Sequence, residues 1–561
     1  MMRLRVKAIG VLFGLLLPLE VGHAATALLT AREKIDQAVA VGMISHEQGV
    51  LYKVYSIRAP EKLPAEYRPD FGRLERCATL MLREAFRELP QFSPSIQAAI
   101  RGVMARPTRA FQYDSPSGYF KIHYDTLGTN AVPTADGSAN GIPDYVEKLG
   151  EYADSSWAHQ VVTLGWRPPP PDNGNGGDDR FDIYTESMYY YGYTQPENPG
   201  PAPWNDFTSY ISVHNNFIGF PPNNDPEGNP AGAAKVTVAH EFNHGCQMAD
   251  NLYGEDFFYE LTATYMEEET FDVVDDNYNY LSDFFNAPYI SLKENSSHAY
   301  STFIFGSFLA QTFDSWLMPQ IWEFMRYRTV MQAVDSGLIV RGSSFAAQFP
   351  VFTGWNYLTN FRDDGFHYRE GSQYPYLNVN FTESAYPITR SQTSSAKPQG
   401  WAANYIRFNP GTAPKKILRI DFNGSNGLPW AFSAIIHRPS GKCDILVAQV
   451  DLSTGDGTIC VPFFPDERDY IVGVPTNLNS STNGGSYQYT AALYTPGDVN
   501  EDGNRTPVDV VLLLDFVYKQ SQVLRPADCF GDCNCDGHIN PLDVVVLVNY
   551  VYRQGPAPCT P

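Results

Sequence analysis

The sequence predicts an α+β chain of several domains. Residues 109–372 interleave strand-like alternation with amphipathic helices. Residues 373–495 form a run of short alternating segments between Gly, Asn and Ser turns, and residues 496–561 hold a duplicated acidic loop feeding two apolar helices. A chain of 561 residues also exceeds what one hydrophobic core organises, so separate modules are required. Hydrophobic residues at 43% and charged residues at 18% fit folded modules rather than disorder. The formal net charge of −22 argues against a nucleic-acid partner, which rewards positive charge, and suits calcium loops built from carboxylates.

Residues 1–24 read as an export signal. Arg3, Arg5 and Lys7 precede an apolar run from Ala8 to Leu17, and Gly22-His23-Ala24 places small residues where a signal peptidase reads. The run is interrupted by Pro18 and Glu20, and a membrane span needs about 18 or more apolar residues. No membrane span is expected after signal removal, and the protein is expected to be secreted, extracellular or held at a cell surface.

Residues 25–108 carry helical spacing. Ile35, Ala38, Val39 and Met43 recur at three-to-four intervals, as do Leu74, Cys77, Leu80, Met81 and Phe86, with a Pro-rich break from Pro60 to Pro69. This region is expected to be helical, either a pro-segment removed on maturation or an N-terminal subdomain.

From Phe111 the pattern changes. Tyr119 to Tyr124 alternates like a strand, and Asp136 opens a loop with Asp136, Ser138, Asn140, Asp144 and Glu147 at positions 1, 3, 5, 9 and 12. With Gly141 at the sharp turn and the Ile142 carbonyl at position 7, this fits a calcium loop, against the alternative of a plain polar turn. A helix is expected from Asp144 to about Gln160, then strands at Phe181–Tyr184 and Tyr210–Val213, the latter a candidate edge against which an extended substrate pairs.

The chemistry centres on His240-Glu241-Phe242-Asn243-His244, an H-E-x-x-H on a helix-compatible apolar segment. Spacing of four sets both imidazoles on one helix face, so both can hold one zinc ion, with Glu241 placed to take a proton from the zinc-bound water as it attacks a carbonyl. A catalytic zinc takes a third protein ligand. Glu260 is the expected one, on a returning helix whose Thr262, Ala263 and Thr264 permit close approach. Asp250 competes, ten residues after His240, although Gln247 stands where that arrangement needs a turn. Glu267 is expected to orient a histidine through its free ring N–H. Tyr300, ahead of an apolar helix from Thr302 to Phe313, is the expected oxyanion donor, with His298 the other candidate.

Three readings stand for Cys77: a thiolate cap on the zinc from a pro-segment, a disulfide with Cys246, or simple burial. Cys443 and Cys460, and the C-terminal Cys529, Cys533, Cys535 and Cys559, are expected to form bridges whose pairing the sequence leaves open.

Beyond about Tyr374, strands such as Tyr405–Phe408, Ile417–Phe422, Tyr470–Val474 and Tyr487–Ala491 predict a β-sandwich. In the tail, Asp498, Asn500, Asp502, Asn504 and Asp509 are echoed 34 residues later (532 − 498) by Asp532, Asn534, Asp536, His538 and Asp543. Each loop is followed by an apolar helix, which predicts two calcium sites.

Ser115 to Tyr124, Asn140 to Glu147, His240 to His244 and Glu260 to Glu267 together resemble a family of exported bacterial metalloproteases, over about Thr26 to the β-module. The resemblance implies a zincin-like domain with a gluzincin-type site and Glu260 as the matching ligand. Where such sites often carry an acid one turn after the metal Glu, this chain has Thr264. The tail resembles a dockerin in both repeats, which implies calcium-dependent folding and a cohesin-like partner. Its cysteines, Pro507 and Pro541 depart from the commonest dockerin pattern. The function expected is a secreted zinc-dependent endopeptidase acting on a protein or peptide substrate, with calcium-stabilised accessory modules. A zinc peptidase limited to short peptides is compatible with the same residues. The alternative from another class is a catalytically inactive surface or matrix binding protein that attaches through its tail and sandwich.

Overall fold

The computed structural model describes residues 29–559 apart from 71–73, 393–395, 411–415, 439–440, 465–469 and 520–526; the expected export signal lies outside the described residues. The fold mixes helices with three sheets. The first sheet contains β1 (Glu75–Cys77), β2 (Phe111–Asp114), β3 (Phe120–Tyr124), β4 (Phe181–Glu186), β5 (Tyr190–Pro199) and β6 (Phe207–His214), in the order β1-β5-β6-β4-β3-β2. Strands β3, β4 and β6 are parallel, β5 runs antiparallel to β6, and β1 runs parallel to β5 on the outer edge.

Two expectations are corrected by this sheet. Leu74 and Cys77 do not sit on a helix: Glu75–Cys77 is a strand, because its backbone is completed by β5 in a way helical spacing of side chains does not report. Tyr210–Val213 is not an edge, since β6 is flanked by β5 and β4 and its backbone groups are already paired. The strand next to the edge is β5, which the sequence reading did not identify.

One face of the sheet is covered by α2 (His46–Arg58), α3 (Thr79–Glu88) and α4 (Pro94–Met104), and α1 (Ala31–Ala40) packs on α2. Of these, α2 to α4 bury Val50, Val54, Leu82 and Ile100 against Tyr184, Tyr190, Tyr193 and Tyr210 of the strands. The opposite face packs Ile183, Ile211 and Val213 against Val146 and Leu149 of α5 (Asp144–Trp157) and Val238 and Phe242 of α6 (Asn229–Asp250). Every residue of α6 from Gly232 to Asp250 is buried, the condition of a helix enclosed on all sides. Helix α7 (Asp256–Thr270) returns along α6, and α8 (Tyr278–Asn286), α9 (His298–Ser301), α10 (Phe303–Thr312), α11 (Leu317–Met325), α12 (Val330–Val340) and α13 (Phe345–Trp355) extend the same core.

The remaining two sheets face each other as a sandwich. One joins β7 (Phe381–Glu383), β9 (Ala402–Ala403), β10 (Ile406–Phe408), β12 (Trp430–His437), β13 (Cys443–Ala448) and β15 (Ile471–Asn477). The other joins β8 (Ile388–Gln392), β11 (Lys416–Gly424), β14 (Asp456–Phe464) and β16 (Tyr487–Tyr494). Phe408, Ile420, Phe422, Phe432 and Tyr489 fill the space between them.

The tail places α14 (Pro507–Lys519) and α16 (Pro541–Arg553) around a small core of Val499, Val510, Leu513, Cys533, Val544 and Leu547, while α15 (Ala527–Phe530) packs Phe530 on Ile417 of β11. These six form three pairs at the same 34-residue offset (533 − 499, 544 − 510, 547 − 513). Cys533 therefore fills the core slot that Val499 fills in the first repeat, and it is an unpaired thiol. Cys443 is likewise unpaired, so neither forms the expected bridge; the disulfides are Cys460–Cys529, which ties the sandwich to the tail, and Cys535–Cys559. Among the described residues, no helix is long and apolar enough to cross a membrane.

Candidate metal centre

Helices α6 and α7 and the edge strand β1 meet at one buried point. Cys77, His240, His244 and Glu260 each offer a donor atom there, all within 4.8 Å of one another. His240 Nε2 lies 3.2 Å from Glu260 Oε2, His244 Nε2 lies 3.7 Å from Glu260 Oε1, and Cys77 Sγ lies 3.4 Å from His244 Nε2. His240 Nε2 and both Glu260 carboxylate oxygens are buried with no hydrogen-bond partner. Burying such atoms unsatisfied is costly, and a divalent cation at their common centre removes that cost. The residues present can hold a metal ion.

The rings are aimed from behind. His240 Nδ1 lies 2.6 Å from Glu267 Oε1, and Glu267 is held by the Arg76 guanidinium, which also pairs with Asp276. His244 Nδ1 lies 2.7 Å from Gln247 Oε1. Gln247 Nε2 donates to the Tyr259 carbonyl at 3.1 Å, which fixes the amide so that Oε1 must accept. Both Nδ1 atoms are therefore donors, and both Nε2 lone pairs face the centre. Burial drives both imidazoles toward the neutral form, His240 well below its ordinary value and His244 down to about 3. Thr264, one turn after Glu260, has a buried, unpartnered hydroxyl. Gln247 is not a turn residue, because α6 continues to Asp250.

Glu241 sits beside the centre on the β5 side. Its Oε2 lies 2.8 Å from the Thr194 hydroxyl and 2.9 Å from the Thr79 hydroxyl. Burial pushes its carboxyl up to about 8, against hydrogen bonds from Thr194, Cys77 and Thr79 that favour the charged form; a cation at the centre would act in the same direction as those bonds. Burial raises the Cys77 thiol well above its usual range, with the Glu241 and Glu260 charges adding to the shift, and here too a bound cation reverses the sign.

Gly192 of β5 permits this arrangement. A Cβ there would stand 2.8 Å from Thr237 Cγ2, 2.8 Å from the Ser212 carbonyl oxygen and 3.0 Å from Glu241 Cγ. Gly192→Ala is expected to overpack the junction at a cost of about 1–3 kcal/mol. Thermal denaturation of the two proteins checks this, and an unchanged melting temperature would mean that β5 and α6 are not in this contact.

The other expected site residues fall as follows. Tyr300 stands at the centre, its ring 6.4 Å from that of His240 and its hydroxyl donating to the Cys77 carbonyl oxygen at 3.4 Å. His298 packs on Phe284 instead. Asp250 is turned away into ion pairs with Arg326 and Arg167 at 2.8 and 3.2 Å, so it is no part of the cluster. Cys77 and Cys246 are both unpaired and buried, which excludes the disulfide reading. Arg76, Thr79, Thr194 and the role of Gln247 escaped the sequence reading. Only Gln247 carried a local signal, one helical turn after His244.

The three acidic loops share their first turn, and the two tail loops also close alike, through the Asp at position 12, whereas the first closes through Asp144 at position 9. Asp136 accepts from the amides of Asn140 and Gly141, Asp498 from those of Asp502 and Gly503, and Asp532 from those of Asp536 and Gly537. Gly141, Gly503 and Gly537 hold φ of 85°, 87° and 89° at the sixth position of each loop. Asp144, Asp509 and Asp543 each turn back to accept loop amides, of Gly137, Val499 and Cys533 respectively. Glu147 accepts from the Asn140 side chain, Ser138 donates to Asp136, and the backbone amides of Asn504 and His538 donate to Asp502 and Asp536. Asn500 and Asn534 also bond Asp502 and Asp536 through their side chains. The Ile142 amide is bound by Asn140. Burial raises the carboxyls of Asp498 and Asp532, and neighbouring aspartates add to it in both loops.

No family model matches the chain, and no curated protein matches it. Among solved structures it is similar to the pre-peptidase C-terminal domain of a collagenase from Bacillus anthracis, at 10% identity and TM-score 0.15 over 20% of this chain and 94% of that one. It is similar to Legionella pneumophila aminopeptidase A at 9% identity and TM-score 0.27, over 63% of this chain and 35% of that one. A family GH115 4-O-methyl-alpha-glucuronidase, BtGH115A, shows 8% identity and TM-score 0.13, over 46% of this chain and 38% of that one. Likenesses this low establish neither a shared fold nor a shared activity.

Proposed function

We propose that this chain is a secreted zinc-dependent endopeptidase of the zincin type, in which His240, His244 and Glu260 hold the metal. The observation that carries the reading is the convergence of buried, unpartnered donors from two imidazoles and a carboxylate. Imidazole and carboxylate donors suit zinc. Bound zinc supplies the Lewis acidity that activates water and polarises the scissile carbonyl. Glu267 and Gln247 orient the two rings. Glu241 Oε2 takes the proton from the attacking water and returns it to the leaving amine. Once β1 vacates them, the Tyr300 hydroxyl would donate to the oxyanion and the outer edge of β5 would offer its backbone to an extended peptide.

One observation favours a second reading. With Cys77 included, four protein donors close the coordination, as structural zinc sites do. The chain would then be an inactive binding protein. Metal analysis of the purified chain separates neither reading alone. Casein digestion, by the intact chain and after limited proteolysis, beside Glu241→Gln treated identically, separates them. Equal digestion by wild type and variant would remove the mechanism, and no digestion by either form of the wild type would leave the binding protein.

The accessory modules are read as calcium-stabilised, the tail as dockerin-like with a cohesin-like partner. The shared first turn of the loops and the crowded Asp498 and Asp532 support calcium. A core of six buried residues is small for independent folding. Calcium titration of the full chain is therefore expected to raise the melting temperature of the tail, and Asp509→Ala with Asp543→Ala to abolish that rise. Calorimetry showing no calcium-dependent transition would remove the assignment.

A further inference from the structure

We infer that Cys77 is a fourth ligand of the proposed metal centre and that, through it, residues 29–104 hold the enzyme latent; this rests on the peptidase reading. Three groups of Cys77–Thr79 stand where hydrolysis needs water and substrate. Cys77 Sγ lies 3.4 Å from His244 Nε2, in the cluster it shares with His240 and Glu260. The Thr79 hydroxyl contacts Glu241 Oε2 at 2.9 Å and so covers the base. The Cys77 carbonyl oxygen takes the Tyr300 hydrogen bond assigned above to the oxyanion. The unpartnered His240 Nε2 and Glu260 oxygens are the independent sign that a cation belongs among these atoms.

The backbone repeats the pattern. Strand β1 pairs with the outer edge of β5, Glu75 opposite Tyr190 and Cys77 opposite Gly192. The Glu75 amide donates to the Tyr189 carbonyl at 3.2 Å and the Ala78 amide to the Gly192 carbonyl at 3.1 Å. An extended substrate would require those same edge groups. One short segment thus blocks the metal, the base, the oxyanion donor and the strand edge together.

Its docking combines a buried apolar layer with buried ion pairs, Arg76 on Glu267 and Asp276 and Arg83 on Asp256 and the Leu252 and Gly254 carbonyls, so release also removes the guanidinium behind Glu267. The sheet face beneath α2 to α4 presents Tyr184, Tyr190, Tyr193 and Tyr210, phenols rather than aliphatic chains. Across the same interface Arg58 faces Glu186 and Arg83 faces Asp256. Downstream, Arg101, Gly102 and Ala105 are exposed, whereas Arg106 is anchored by Asp172, Asp182 and Glu197. A cut between Arg101 and Ala105 frees the segment without disturbing that anchor. On metal loading the Cys77 thiol gives its proton to solvent; on release a water takes the sulfur's place and the thiolate is reprotonated.

The test uses the full chain loaded with cobalt(II). Wild type is expected to show a thiolate-to-cobalt charge-transfer band in the near ultraviolet, and Cys77→Ser to keep the cobalt but lose the band. Limited trypsin treatment is expected to cut after the exposed Arg101, giving an N-terminus at Gly102, and to abolish the band. In the zinc form the same cut should raise casein digestion about 100-fold or more, as for an enzyme whose competent state is populated at about 1% before release. Should Cys77→Ser not fold, alkylation of Cys77 in wild type, followed by mass spectrometry, should be slower with cobalt than without. A cobalt-loaded wild type without the band, with Cys77 alkylated equally in both states, overturns the ligand. An uncleaved chain as active as the cleaved one overturns latency alone. A cleaved chain that has lost the segment and digests nothing overturns latency together with the peptidase reading.

Discussion

Glu241→Gln is expected to lower kcat for peptide hydrolysis by about 10²–10⁴-fold, the range attributed to a positioned proton-transfer group, while leaving zinc content unchanged. The amide keeps the size of the carboxyl, and its oxygen can still accept from the Thr194 hydroxyl, now 2.8 Å from Glu241 Oε2. The donors that hold the metal belong to other residues, so binding and chemistry separate in this variant. The measurement is single-turnover cleavage of a peptide by the proteolysed chain, with metal analysis of the same sample. A rise in KM without a loss in kcat would mean that Glu241 binds substrate rather than moving a proton. A parallel loss of zinc would mean that it is a structural support of the site.

What the sequence disclosed about this site follows from how far apart its parts lie in the chain. His240 and His244 are one helical turn apart, and Glu260 and Glu267 are two turns apart on the next helix, so ligand and orienting acid share faces that local spacing reports. Arg76 is 191 residues from the Glu267 it holds, and Thr79 is 162 residues from the Glu241 it contacts. No periodicity connects positions so distant. Strand β1 is three residues long inside a region of helical spacing, and it exists because β5 completes it. The 34-residue repeat was legible because it is a repeat of sequence, and it also explains why Cys533 stays a thiol. Its counterpart Val499 shows that the position demands a small buried apolar group, which a disulfide would pull out of the core.

Glu260→Ala and Asp250→Ala are expected to fail in opposite ways. Both acids are buried, at 1% and 2% exposure, and both were candidates for the third ligand. Removing Glu260 takes away one of the converging donors, so zinc affinity should fall by more than the ~10–100-fold typical of losing an outer partner. Glu267→Gln, which weakens only the support behind His240, should fall within that outer-partner range. Removing Asp250 leaves Arg167 without its carboxylate and Arg326 with only the exposed Glu323. Breaking a buried ion pair costs about 3–5 kcal/mol, and the partial exposure of Arg167 places the loss toward the low end of that range. Asp250→Ala should therefore melt earlier while binding zinc as tightly as wild type. Competitive metal titration against a chelator, run beside thermal melts, reads both quantities. If Asp250→Ala lost zinc and Glu260→Ala kept it, the metal would have to sit at the other end of α6, where neither imidazole can reach it.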